Sequence, residues 1–276
     1  MNITIAAALT TLAIAGAGPA AADSPLAADP SAQNVTAYAS TAAWSRKGPD
    51  GYHLVVAQNG SVVDAPVPVA ARPYDPDLGP TAANGRTIVY ARGGDLYRYD
   101  VGAPAERKLT ALSSSAKETA PSFFKDKIVF SRIDGPRRGL YLARPDRPLT
   151  RVFRTVAAET DVAETRVIGR FGEGARSIIR VMNLPATDVR IVARAKTGQR
   201  MAGPTLTRFN GFWLRVGRTR SAVETVGVNA HRGLAVLTAD RQLAGQVDSL
   251  ATFRIPTLYT SASGVQRIDP KLRFSR

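Results

Sequence analysis

The chain has 276 residues, 44% of them apolar and 21% charged, and a formal net charge of +15 from 37 Lys and Arg against 22 Asp and Glu. The absence of cysteine excludes disulfides, thiol chemistry, cysteine-ligated zinc or iron–sulfur clusters, and a lipobox anchor. Two histidines, His53 and His231, leave little material for a histidine triad or metal site, and each reads as a surface or strand residue.

In chain order, residues 1–22 come first, with "ITIAAALTTLAIAGAG" and Ala20-x-Ala22 before Asp23. An uncharged apolar run followed by small residues predicts a signal peptide cleaved after Ala22. The run is too short and too rich in Gly and Ala to serve well as a membrane span, and no later stretch approaches the ~20 apolar residues that a span requires. Residues 23–34, "DSPLAADPSAQN", are polar and rich in Pro and Ala and predict a short linker. Asn34-Val35-Thr36 matches a glycosylation sequon, read here as accidental.

From residue 35 to 276 the chain is built from short runs of Val, Ile, Leu, Tyr and Phe, punctuated by Gly, Pro, Asp and Asn, the pattern of an all-β protein. The runs repeat. A strand ending in a bulky apolar residue, then a small or polar residue and often Arg, occurs in "AAWSRKG", "IVYARGG", "IVFSRIDG", "RVIGRFG", "FWLRVGR" and "TLYTSASG". The anchors Trp44, Tyr90, Phe130, Ile168, Leu214 and Tyr259 are spaced by 46, 40, 38, 46 and 45 residues. That spacing fits the ~40–45 residue period of four-stranded propeller blades. Apolar residues at successive positions suit strands packed on both faces rather than the one-sided strands of a sandwich. The prediction is a single six-bladed β-propeller over 35–276, expected to be monomeric. Its last blade is short, and either "KLRFSR" or "VTAYA" from near the N-terminus is expected to complete it.

"RPYDPDLGPTAANGRTIVYARGGDLYRYDVGAPAERKLTAL" resembles the repeat of TolB-type, WD40-like β-propellers, the PD40 repeat. "APSFFKDKIVFSRIDGPRRGLYLARPDRPLT" resembles it again, down to its own Leu149-Thr150. The likeness runs over Arg72–Arg151, and beyond Arg166 the period carries it. The whole chain is similar to exported single-propeller, TolB-like proteins of high-GC Gram-positive bacteria. The resemblance implies the fold and a binding role in the cell envelope, and it carries no catalytic residues.

The sequence lacks sialidase Asp boxes, a Gly-x-Ser-x-Gly elbow, a P-loop, Gly-x-Gly-x-x-Gly and an EF-hand loop. "GRFGEG" at 169–174 is Gly-rich but lacks a following helix or phosphate-binding Lys. No cofactor, metal site or catalytic residue is assigned. Carboxylates able to converge at a central channel are Asp75, Asp77, Glu118, Glu159, Asp161 and Glu164, and two of them within several ångströms would suit a carbohydrate- or lactone-active hydrolase.

In a four-stranded blade the loop between the second and third strands emerges on the same face of the disc as the blade-to-blade connection. That places Arg46, Lys47, Arg92, Arg132, Arg137, Arg138, Arg170, Arg176, Arg218 and Arg220 on one face, where the planar Arg fork suits phosphate or carboxylate. Two bland readings compete: neighbouring carboxylates neutralise the set, or 30 Arg against 7 Lys reflects GC-rich codon use. Nucleic acid is not expected as a partner, because the cations lack interleaved aromatics and the chain reads as exported. The expectation is a secreted or envelope-associated, non-enzymatic scaffold that binds a protein or polyanionic envelope component.

Overall fold

Short runs that are apolar at every position cannot alternate between core and solvent, so they need cover on both faces. The computed structural model, which describes residues 24–185, 187–218, 220–227, 236–244, 250–252, 257–261 and 264–267, supplies that cover by packing sheets side by side around an axis. After β1 (Ser24–Ala27), the first blade is β2 (Gln33–Tyr38), β3 (Thr41–Lys47), β4 (Tyr52–Gln58) and β5 (Ser61–Asp64). The second is β6 (Asp77–Pro80), β7 (Arg86–Arg92), β8 (Asp95–Asp100) and β9 (Arg107–Lys108). The third is β10 (Glu118–Phe124), β11 (Lys127–Arg132), β12 (Gly139–Arg144) and β13 (Arg147–Phe153). The fourth is β14 (Glu159–Ala163), β15 (Arg166–Phe171), β16 (Ile178–Asn183) and β17 (Thr187–Arg194). The fifth is β18 (Arg200–Leu206), β19 (Asn210–Val216), β20 (Arg220–Gly227) and β21 (Val236–Ala244).

The expectation of six equivalent blades is corrected here to five. Only five blades are folded from four consecutive strands. The remaining strands β22 (Leu250–Thr252), β23 (Thr257–Ser261) and β24 (Gly264–Arg267) do not make a further repeat of that kind. They form a composite closing sheet whose outermost strand is β1, paired antiparallel with β24. The innermost strands β2, β6, β10, β14, β18 and β22 touch in succession, and β22 touches β2, so the ring closes. The physical reason is the edge: β24 would otherwise end the sheet with unpaired backbone groups.

Two further expectations change with this. The segment 23–34, read as a linker, supplies β1 and the first residues of β2. Residues 35–38 of "VTAYA" lie in β2, inside the first blade, and Ala39 begins the turn to β3, so the segment does not close the ring. Residues 1–22, expected to be a signal peptide, His231 and "KLRFSR" lie outside the described residues.

Within each blade the second strand is the most deeply packed. Trp44, Tyr90, Phe130, Ile168 and Trp213 on these strands are fully buried. The outermost strands are free on one edge, and β5 is exposed along its whole length. Innermost strands have their free edge toward the axis, which is where a sheet tolerates proline; Pro80, Pro121 and Pro204 all lie there. Bulges interrupt β2, β10 and β18 between Gln33 and Thr36, Thr119 and Ser122, and Ala202 and Thr205. Each bulge contains a residue with positive φ: Asn34 at 54°, Ala120 at 48° and Gly203 at 54°. Gly79 on β6 is required by contact, since a Cβ there would lie 2.0 Å from the Phe123 carbonyl oxygen of the next blade.

Candidate functional site

Five second strands end in the same device, a bulky core residue, one spacer and an arginine: Trp44-Ser45-Arg46, Tyr90-Ala91-Arg92, Phe130-Ser131-Arg132, Ile168-Gly169-Arg170 and Trp213-Leu214-Arg215. Alternation along a strand sends residues two apart to the same side, so each arginine lies beside its core residue. All five carry a carboxylate partner: Arg46 with Asp64, Arg92 with Glu106, Arg132 with Glu118 (3.1 Å), Arg170 with Glu159 (2.8 Å) and Arg215 with Glu224 (2.6 Å). Glu118 and Glu159 are the direct cross-strand neighbours of Arg132 and Arg170. Glu224 also accepts from Trp213 Nε1 at 2.6 Å, as Glu106 accepts from the Tyr90 hydroxyl. Arg132 lies 4.6 Å from the Tyr141 ring centroid, and its Nη2 donates to the Leu112 carbonyl at 3.0 Å.

The ten expected cations therefore divide. Arg46, Arg92, Arg132 and Arg170 are committed to carboxylates within their own blades. Lys47, Arg137, Arg138, Arg176 and Arg218 are exposed and form no ion pair with any described residue. Arg137 and Arg138 sit in the loop between β11 and β12, where only their backbones are engaged, Arg137 O by the Tyr141 hydroxyl and Arg138 N by Gly135 O at 3.2 Å. Arg176 closes a single 3-10 turn at 174–176 between β15 and β16. Arg220 begins β20, and its side chain lies outside the described residues.

Antiparallel order puts the β3–β4, β7–β8, β11–β12, β15–β16 and β19–β20 loops on one face, together with the blade-to-blade connections. Those connections add exposed Arg72, Lys117 and Arg154 to that face. The exposed acids there include Glu173 and Asp50, and Asp50 Oδ1 lies 2.8 Å from His53 Nε2, from which it accepts when that nitrogen carries the proton. On the opposite face Lys125 pairs with Glu164 and Arg190 with Asp188, and exposed Arg144, Arg147 and Arg208 share the surface with Asp126 and Asp146.

At the axis, carboxylates converge. Asp75 precedes β6 in the second blade, and the charges of Glu159 and Arg170 in the fourth act on it. Burial, with the Glu159 charge added, pushes its carboxyl up to about 7. Asp77 is raised well above the usual range by burial and by Asp161, and burial raises Asp161 to about 6. Both latch neighbouring blades. Asp77 accepts from Phe123 N at 2.6 Å and Thr36 Oγ1 at 3.3 Å, and one Asp161 oxygen accepts from Leu206 N at 2.6 Å and Thr205 Oγ1 at 2.9 Å. Glu159 Oε2 accepts from Gly203 N at 2.7 Å, where the positive φ of the bulge turns that N–H toward the channel. Of the six carboxylates named from the sequence, Glu118, Glu159 and Glu164 are ion-paired, Asp77 and Asp161 are hydrogen-bonded, and Asp75 has no hydrogen bond to a described residue. Among the described residues no group of three His, Asp or Glu is placed to hold a metal ion, and no helix is long and apolar enough to cross a membrane.

Sequence reasoning missed Arg215, having aligned the fifth blade on Leu214 and so looked past it to Arg218 and Arg220. The signal was present: "WLR" matches "WSR" and "FSR" when Trp213, not Leu214, is the anchor.

No protein-family model matches this chain, and no curated protein is similar to it in sequence. Solved structures share its fold. A structure assigned to TolB from Agrobacterium tumefaciens aligns over 86% of this chain and 90% of that chain, with a TM-score of 0.60 and 9% identity. TolB from Acinetobacter baumannii aligns over 86% of this chain and 65% of that one, with a TM-score of 0.55 and 14% identity. The tricorn protease aligns over 89% of this chain but only 27% of its own length, with a TM-score of 0.56 and 13% identity. The chain thus has a TolB-like β-propeller fold, and identities this low speak to the fold alone.

Proposed function

We propose that this protein is an exported, non-enzymatic propeller of the PD40 type, one face of which is a scaffold for a protein or an anionic component of the cell envelope. The observation that carries this reading is the division of the cations. The five second-strand arginines are matched by carboxylates, whereas Lys47, at the end of β3, and the loop residues Arg137, Arg138, Arg176 and Arg218 on the same face form no ion pair with a described residue. Unmatched cations on adjacent loops suit an extended anion that contacts several at once, each contact being modest and salt-screened. The export half of the reading rests on the first 22 residues.

The test is binding of the full chain to immobilised poly(glycerol phosphate), with a neutral polysaccharide as control, over a range of salt. The expected result is salt-sensitive binding weakened about tenfold by Arg137→Ala with Arg138→Ala, a loss of roughly 1.4 kcal/mol. Equal retention of the double variant and the parent would remove the anionic-partner reading.

A hydrolytic reading, with channel carboxylates acting on a carbohydrate or lactone, has one observation in its favour: Asp75, Asp77 and Asp161 are held together with raised proton affinity. Against it, Asp77 and Asp161 are occupied by backbone and threonine donors of adjacent blades, which leaves Asp75 without a second free carboxylate among these three.

A further inference from the structure

Arg180, on β16 in the fourth blade, differs from the five second-strand arginines that carry a carboxylate partner. Its guanidinium carbon lies 5.0 Å from the ring centroids of both Phe153, at the end of β13 in the third blade, and Phe171, at the end of β15. The two rings hold it in the seam between blades. Among the described residues no carboxylate pairs with it and none accepts a hydrogen bond from it; its Nε is sealed from solvent and has no partner there. A second cation, Arg194 at the end of β17, lies on the same face of the sheet: it pairs across from Ile178, two residues before Arg180, while Arg180 itself pairs with Ile191. The Arg194 backbone is fixed, because its carbonyl accepts from Arg215 Nη1 at 2.9 Å, while its side chain is exposed and forms no ion pair with a described residue.

Taking a cation out of water without a counter-charge is costly, and a second cation beside it raises the cost. This protein places carboxylates beside Arg46, Arg92, Arg132, Arg170 and Arg215 but none beside Arg180. Two guanidinium groups carry a formal charge of about +2 and present planar donor forks, which together match a dianion with several acceptor oxygens. Packing against the T-shaped Phe153–Phe171 ring pair, whose centroids are 5.6 Å apart, restricts the Arg180 side chain in advance, so less freedom remains to be lost on binding. We infer that Arg180 and Arg194 form a binding site for a tetrahedral oxyanion, phosphate or sulfate in class, at the seam between the third and fourth blades. The direction of the Arg180 shift agrees: burial, then the Arg194 charge, makes its protonated form less favourable than usual, a penalty that a bound dianion would relieve.

The site stands on Arg180 and not on the loop cations, so it can fail while the scaffold reading survives, and the reverse. The experiment is calorimetric titration of the full chain with inorganic phosphate and with sulfate at constant ionic strength, using acetate and chloride as reference anions. The expected result is one saturable site for phosphate or sulfate. Arg180→Met, which keeps an apolar side chain against the two rings, and Arg194→Ala are each expected to weaken it at least tenfold. Arg137→Ala with Arg138→Ala is expected to leave it unchanged. Arg194→Ala alters an exposed side chain, so it reads the site even if Arg180→Met does not fold. Phosphate and sulfate that bind no better than chloride would overturn the proposal and leave Arg180 as an aromatic-clamped structural cation. Unchanged affinity in Arg194→Ala would overturn it equally.

Discussion

Arg132 and Arg138 flank the same loop under different electrostatics. Arg132 is 9% exposed, faces Glu118 across the strand pair and covers the Tyr141 ring; Arg138 is exposed in the loop and forms no ion pair with a described residue. Removing one partner of a buried pair strands the other, which costs more than the pair contributes. Glu118→Ala should therefore lower stability by about 3–5 kcal/mol, while Arg138→Ala should change it little, a contrast that urea unfolding of the two variants would read directly. Comparable midpoints for both would mean that the Glu118–Arg132 pair is solvated and not structural. The same contrast explains what composition alone could not reveal. An excess of Arg looks uniform in the sequence, yet burial separates residues paired with carboxylates of their own blades from residues exposed in loops.

Among the elements, the second strands were the most legible, because packing on both faces leaves a run with no polar position, as in Ile88-Val89-Tyr90 and Ile128-Val129-Phe130. The one-residue slip at Leu214 shows the limit of that signal. Trp213 and Leu214 are both fully buried, so burial alone does not tell which faces which neighbour. The innermost carboxylates were legible as residues but not as partners, since Asp75 and Glu159 meet only once the ring has closed. Least legible was β1, whose four residues Ser-Pro-Leu-Ala carry no strand pattern and become a strand because β24 offers an unpaired edge. Leu26 and Ala27 then pack on the cluster around Trp44 and Val265. Deleting Ser24–Ala27 should cost about 2–4 kcal/mol, from a few ladder hydrogen bonds and one part-buried leucine. It should also expose β24 and promote self-association. Thermal melting and light scattering of the truncated chain would check both, and an unchanged melting temperature would mean that closure contributes nothing to stability.

At the scale of the whole molecule, closing the ring brings carboxylates from the second and fourth blades into one channel, and the fold bears their mutual repulsion. Asp75, Asp77 and Asp161 all have proton affinities raised mainly by burial, Asp75 to about 7 and Asp161 to about 6. In the unfolded chain these groups return to the ordinary carboxylate range near 4. Between those limits the folded state binds more protons than the unfolded state, so the stability they contribute is full below about pH 4 and is lost as pH rises toward 7. Asp50, Asp95 and Asp100 act in the opposite sense: their pKa values are depressed, and their contribution fades only as pH falls below the ordinary carboxylate value. The melting temperature should accordingly peak in mildly acid solution and fall by roughly 5 °C or more between pH 5 and pH 8. Asp75 isolates the cause, because it makes no hydrogen bond to a described residue that a substitution would break, and its channel neighbours are Glu159, Arg170 and Asp77. Asp75→Asn should flatten the pH profile and raise the melting temperature at pH 8 while leaving pH 5 nearly unchanged. A parent profile that is flat or rising from pH 5 to 8, or an Asp75→Asn profile superimposable on it, would show that the channel carboxylates are solvated well enough to ionise without cost to the ring.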